Sequence, residues 1–166
     1  VRSCLTASCK RWPARDSFPI LSQLIKREED LKDKHIPLLL WWAIENKAIS
    51  NRAEIINLLD DKKLWQTPMM QQHLISRIGQ RYTAQRTADN LTTAAKLLTL
   101  APSDADKDIL INGMESGLKG NAVHNTPKVL QTELGKLWKN RPHTPKLISF
   151  ATRLGHSEAM QEAIAR

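Results

Sequence analysis

The stretch "DKHIPLLLWWAIENKA", residues 33–48, decides how this chain is read, because it carries no formal charge from His35 to Ile44. Pro37 suits the first turn of a helix, where its missing N–H costs nothing. Neighbouring residues on a helix project about 100° apart, so Trp41 and Trp42 cannot present both rings to one ligand face. With Ile36, Leu38, Leu39, Leu40 and Ile44 they make a helix that is apolar around most of its circumference. Such a helix belongs between its own partner and further helices on each side. The expectation is that the two rings fill separate interfaces, each burying about 150–250 Å². Stacking of a ligand on either ring is the lesser reading.

The flanking sequence repeats the helical signal. Residues 19–31 carry Ile20, Leu21, Leu24 and Ile25, then the charged "KREED"; residues 51–64 carry Ile55, Ile56, Leu58 and Leu59. Residues 68–82 place Met70, Leu74, Ile78 and Tyr82 in an unbroken i, i+4 stripe. Comparable stripes follow at Leu91/Ala94/Ala95/Leu98, Leu110/Ile111/Met114/Leu118, Leu130/Leu134/Leu137/Trp138 and Leu147/Phe150/Ala151/Leu154, and a last helix starts near Ser157. Thr67-Pro68, Thr126-Pro127 and Thr144-Pro145 each pair an N-cap threonine with a proline at the first helical position. Ser103 before "DAD" sets negative charge at a positive helix end. Gly120 and Gly155 sit where helices should stop.

Taken alternately, first helices start near 20, 51, 88, 126 and 157, and second helices near 35, 68, 103 and 144. Steps of this size suit stacked helix–turn–helix repeats better than a four-helix bundle. The expected fold is all-α: a right-handed α-α superhelix, a HEAT-like solenoid of about four helix pairs with partial helices at both ends. Residues 1–166 read as one domain and as part of a longer chain, with 1–18 the remnant of a preceding repeat and 157–166 the start of a following one. Solenoids close with polar capping repeats, and neither end shows one.

A net charge of +8 raises the question of nucleic acid. The excess is spread as +3, +3 and +2 over residues 1–50, 51–100 and 101–166, with no Lys/Arg tract, which weakens that reading. Cys4 and Cys9 fit neither a CxxC pair nor a CxxCH haem attachment, and on one helix they point about 140° apart. They read as two small hydrophobes.

"DKHIPLLLWWAIE" (33–45), "ILINGMESGLKG" (109–120) and "ATRLGHSEAMQEAIAR" (151–166) resemble the HEAT-like helical region of large planctomycete-type proteins described as membrane-bound dehydrogenases or haem-binding proteins. In that family a propeller-like dehydrogenase-type domain precedes the helices and a cytochrome c-like CxxCH module follows. The resemblance implies a connecting scaffold, periplasmic or envelope-associated, with haem c carried elsewhere in the parent and no cofactor in this stretch. Adjacent domains of the same polypeptide, or another protein, are the implied partners.

Chemistry-bearing constellations are sparse. The five histidines never form HxxxH or HExxH, so neither a metal site nor a catalytic residue is assigned. His124 and His143 read as solvated rings in interhelix turns. Glu28, Glu29 and Asp30 read as a solvated helix end, as do Asp60 and Asp61 beside Lys62 and Lys63. Gly113 and Gly117, four apart on one helix face, point to close helix packing and not to a phosphate loop. The least bland cluster is the polar line His73, Arg77 and Arg81. Glu45, Asn112, Glu115, Lys119 and Arg153 take exposed-looking positions on the other second helices, which in such solenoids line the concave surface. The expected function is a non-catalytic interaction or spacer module using that face. The alternative is a basic HEAT-like domain that binds nucleic-acid backbone. No apolar run is long enough for membrane insertion.

Overall fold

The computed structural model describes residues 1–166 and contains helices and turns but no strand. In chain order the helices are α1 (Arg2–Cys9), α2 (Ala14–Ile25), α3 (Ile36–Lys47), α4 (Arg52–Asp60), α5 (Lys62–Trp65), α6 (Ile75–Ala84), α7 (Ala88–Leu100), α8 (Asp104–Leu118), α9 (Lys128–Asn140), α10 (Pro145–Arg153) and α11 (Ser157–Ala165). A 3₁₀ turn spans Glu28–Asp30, and a π-helical turn at Met70–Leu74 runs directly into α6. The all-α reading holds.

The contacts set the helices in two rows. One row follows α2, α4, α7 and α9; the other follows α1, α3, α6, α8 and α10, with α11 against α10. Forty-two buried apolar residues form one continuous cluster between the rows. Its stripe Met70, Leu74, Ile78 and Tyr82 is at most 2% exposed. Four residues turn an α-helix by about 400°, so such a stripe drifts about 40° per step. The wider π turn at its start counteracts that drift. Tyr82 ends the stripe with its hydroxyl donating to Ala48 O at 2.6 Å, and burial pushes its pKa up to about 12.

The tightest approach joins α6 to α8. A Cβ placed on Gly113 would lie 1.9 Å from Ser76 O, and one on Gly117 would lie 2.5 Å from Gln80 O. From the facing side Thr83 donates to Met114 O at 2.7 Å. The expectation of close packing at these two glycines holds, and Gly79 adds a third small residue, 2.7 Å from Leu110 O by the same measure.

Several local expectations are corrected. Pro19 does not start a helix: α2 begins at Ala14, and Pro19 lies inside it. The stripe Ala14, Phe18, Leu21 and Ile25 recruits the earlier turns, and the proline ring stays on the exposed face. Residues 51–64 are two helices, because Asp61 breaks α4 and caps α5 by accepting from Lys63 N. Thr126 does not cap α9; it donates to Leu154 O at 2.9 Å and so ties the 121–126 loop to the end of α10. Thr144 and Ser103 cap as expected, accepting from Leu147 N and Asp106 N. Gly120 and Gly155 take φ of +80° and +79°, the left-handed conformation a helix stop requires. Asp30 is not a solvated helix end. It is 3% exposed and receives Arg2 through Nε and Nη2, the shortest contact being 2.6 Å.

Candidate interaction surface

The second row carries the polar line expected from the sequence. His73, on the π turn, and Arg77 and Arg81, on α6, are all half-buried, and neither arginine is paired with a carboxylate. The whole span 68–84 contains no acidic residue, and neither do α1 and α10. Glu45 on α3 is half-buried, while Asn112 on α8 and Lys119, which caps the end of α8, are exposed.

Glu115 and Arg153 do not belong to a free surface. Glu115 is 8% exposed, and its carboxylate accepts from Lys146 Nζ at 3.1 Å, Ser149 Oγ at 3.0 Å and the Arg153 guanidinium. Burial alone would raise its pKa, but these donors, with the positive charge of Arg153, hold it below the ordinary carboxylate value. The α-helical spacing of Glu115 cannot reveal this, because all three donors come from α10, thirty-one or more positions away. The cluster clamps α8 to α10.

The surface that sequence reasoning missed lies between α1 and α3. Trp42 does not fill a core interface: it is 42% exposed, and Leu38, one turn earlier, is 38% exposed. Trp41 is half-buried against the core. The face of α3 that packs inward is Ile36, Leu40, Ala43 and Ile44, each at most 4% exposed. Lys10 Nζ lies 5.7 Å from the centre of the Trp42 ring, within range of a cation–π attraction.

Two adjoining grooves share Ala7, Leu39 and Trp42. One, of about 640 Å³, is completed by Lys10, Arg11 and Asn46. The other, of about 270 Å³, is completed by Ser3, Cys4, His35 and Leu38. Cys4 is therefore a groove residue and Cys9 a core residue, and both are free thiols. Lys47 fixes the walls: buried at 3% exposure, it donates to Cys9 O at 2.7 Å and Lys10 O at 3.0 Å, tying the end of α1 to α3. Burial lowers its pKa.

Two other polar clusters connect elements. A cavity of about 280 Å³ beside Leu98 and Leu137 is bordered by Lys107, Lys136 and Arg141. These pair with Asp104, Glu133 and Asp108, so the cavity carries no excess charge. His143, expected as a solvated ring, is instead held by Trp138 and Glu162. No group of three or more His, Cys, Asp or Glu side chains is assembled at metal-binding distance. No helix is long and apolar enough to cross a membrane. No family model, no curated protein and no solved structure matches the chain.

Proposed function

We infer that the chain is a non-catalytic interaction module whose second row of helices docks an anionic protein partner. The observation that carries this reading is the pair Arg77 and Arg81, two arginines on one side of α6 with no carboxylate partner, in a row whose α1, 68–84 and α10 segments hold no acid. Some cations are matched internally, as at Arg2–Asp30 and Arg141–Asp108, whereas Arg77 and Arg81 stand in a span with no acid of its own. Unmatched positive charge in one row attracts a negative surface and sets its orientation.

The fold assigned with this function is a right-handed α-α superhelix, a HEAT-like solenoid of about four pairs. The succession of contacts α2–α4–α7–α9 and α1–α3–α6–α8–α10 supports it, since in stacked repeats each helix meets its counterpart in the next pair. In the parent protein that the sequence resemblance implies, the module joins a dehydrogenase-type domain to a cytochrome c-like one. The sequence on either side of residues 1–166 tests that context: the absence of both domains removes it.

The docking reading is tested by charge reversal. A fluorescent polyglutamate peptide should bind the chain with an affinity that falls as salt rises, and Arg77→Glu/Arg81→Glu should weaken binding about tenfold or more. Equal binding by wild type and variant overturns it. The second reading, binding to nucleic-acid backbone, draws on the same acid-free span. It requires duplex DNA to bind more tightly than the peptide, with the steep salt dependence of counterion release.

A further inference from the structure

The groove between α1 and α3 differs in chemistry from the rest of the basic row. Its floor is aliphatic and aromatic, made by Ala7, Leu38, Leu39 and Trp42 with the Cys4 thiol. Its cations stand at one end only: Lys10 and Arg11 are exposed, and neither is in an ion pair. We propose that this groove is the docking site of an acidic amphipathic peptide segment of a partner protein. Its apolar side chains lie against Leu38, Leu39 and Trp42, and its carboxylates meet Lys10 and Arg11. The proposal rests on the docking reading above and gives it a place and a ligand chemistry.

Charge and shape together select this occupant. A nucleic-acid strand could stack one base on Trp42, but Ala7, Leu38 and Leu39, which make the rest of the floor, offer its phosphates and sugars no partner. A second copy meeting this groove with the same face would set its Lys10 and Arg11 against their counterparts, and its net charge of +8 opposes the approach of the pair as a whole. An amphipathic helix with apolar anchors three or four residues apart matches a groove whose own anchors, Leu38 and Trp42, are four apart on α3. Lys47 holds α1 against α3 in the free protein, so little ordering is needed on binding. Lys10 already lies over the Trp42 ring, and an incoming carboxylate takes up that ammonium while the peptide covers the indole.

The experiment uses the full 166-residue chain and a labelled helical peptide of about four turns, with leucines on one face and glutamates on the other. Fluorescence anisotropy should show saturable binding. Trp42→Ala, and separately Lys10→Glu/Arg11→Glu, should each weaken it about tenfold or more. A peptide with the same charge but without leucines should bind the wild type about tenfold more weakly. Unchanged binding by Trp42→Ala overturns the groove, and loss in Arg77→Glu/Arg81→Glu alongside it leaves the docking reading standing. Binding of neither peptide overturns both. Displacement of the peptide by a single-stranded oligonucleotide at lower concentration than unlabelled peptide reassigns the groove to nucleic acid and overturns the proposal. Self-association that Trp42→Ala abolishes does the same in favour of a second copy. Because Trp42 is 42% exposed, its variant should keep the wild-type circular dichroism spectrum, which is checked first.

Discussion

The imidazole of His143 lies flat on the indole of Trp138, with ring centroids 3.7 Å apart and planes 23° from parallel. Its two nitrogens meet two acceptors, Trp138 O at 2.9 Å and the Glu162 carboxylate at 2.6 Å. A neutral imidazole can donate to only one of them, so the cation is the form that satisfies both. Arg166 adds a bond to Glu162 at 2.7 Å, and the set fastens α11 to the turn between α9 and α10.

This clasp makes α11 sensitive to pH. The Trp138 carbonyl, and then Glu162, raise the His143 pKa above its ordinary value against the opposing effect of burial. A raised folded value means the stabilisation is complete below about 6.5 and is lost as pH rises through the folded pKa. Burial works against ionisation of Glu162, but bonds to Arg166 and His143 leave its pKa lowered. Its share is complete above about 4.3 and is lost as pH falls through the folded value. Amide exchange in α11, corrected for intrinsic rates, should therefore be slowest between these limits and faster on both sides. His143→Gln should abolish the rise on the alkaline side. A flat profile in the wild type would show that the clasp does not hold α11.

The α6–α8 crossing predicts opposite outcomes for chemically identical substitutions. Gly113→Ala would drive a methyl group into the Ser76 carbonyl, a backbone atom that cannot turn aside. The cost should be about 1–3 kcal/mol or more, read as a lower urea midpoint. Gly135 lies inside α9 with nothing within 4 Å of the Cβ position. Gly135→Ala should raise stability by about 0.5–1 kcal/mol through helix propensity alone. If both variants lose stability equally, the close approach of α6 and α8 is not the cause.

These glycines also show what the sequence could and could not disclose. Periodicity reports the face of a helix that is apolar, and it reported Met70, Leu74, Ile78 and Tyr82 because that face is fully covered. It reported Gly113 and Gly117 because two residues four apart share a face. It could not report which neighbour covers a face. Helix α3 is apolar nearly all round, yet only the side with Leu40, Ala43 and Ile44 is closed, leaving Leu38 and Trp42 in the groove. The partners of Glu115 and His143 come from other helices, and no local spacing encodes them. Pro19 misled for a related reason: a proline marks a helix start only where no buried stripe precedes it, and here Ala14, Ser17 and Phe18 do.

The Glu115 clamp should govern the acid limit of the second row. Its lowered pKa means the clamp contributes fully above the ordinary carboxylate value and is lost as pH falls through the folded value. Glu115→Gln retains the shape but weakens the bonds to Lys146 and Arg153, and should cost about 1.5–3 kcal/mol near neutral pH. The variant should also lose less stability than the wild type between neutral and acid solution. Urea unfolding at both pH values decides this, and parallel losses in the two proteins would place the acid sensitivity elsewhere.

The tryptophans give the sharpest contrast between a core and a groove. Trp65 is fully buried, and its indole N–H donates to Leu59 O at 2.7 Å. Trp65→Ala removes a large packed ring and leaves that carbonyl unpaired, so it should cost about 3–5 kcal/mol and broaden the unfolding transition. Trp42→Ala removes a ring whose upper part already faces solvent beside Lys10. Its cost should stay within about 1 kcal/mol, because the neighbouring Leu38 and Leu39 lose little further cover. In binding the order should reverse. A milder Trp65 variant such as Trp65→Phe, which keeps a ring in the core but not its N–H, should keep its affinity for the acidic peptide, while Trp42→Ala should lose it. A Trp42→Ala protein that unfolds as readily as Trp65→Ala would return this side chain to the core and close the groove.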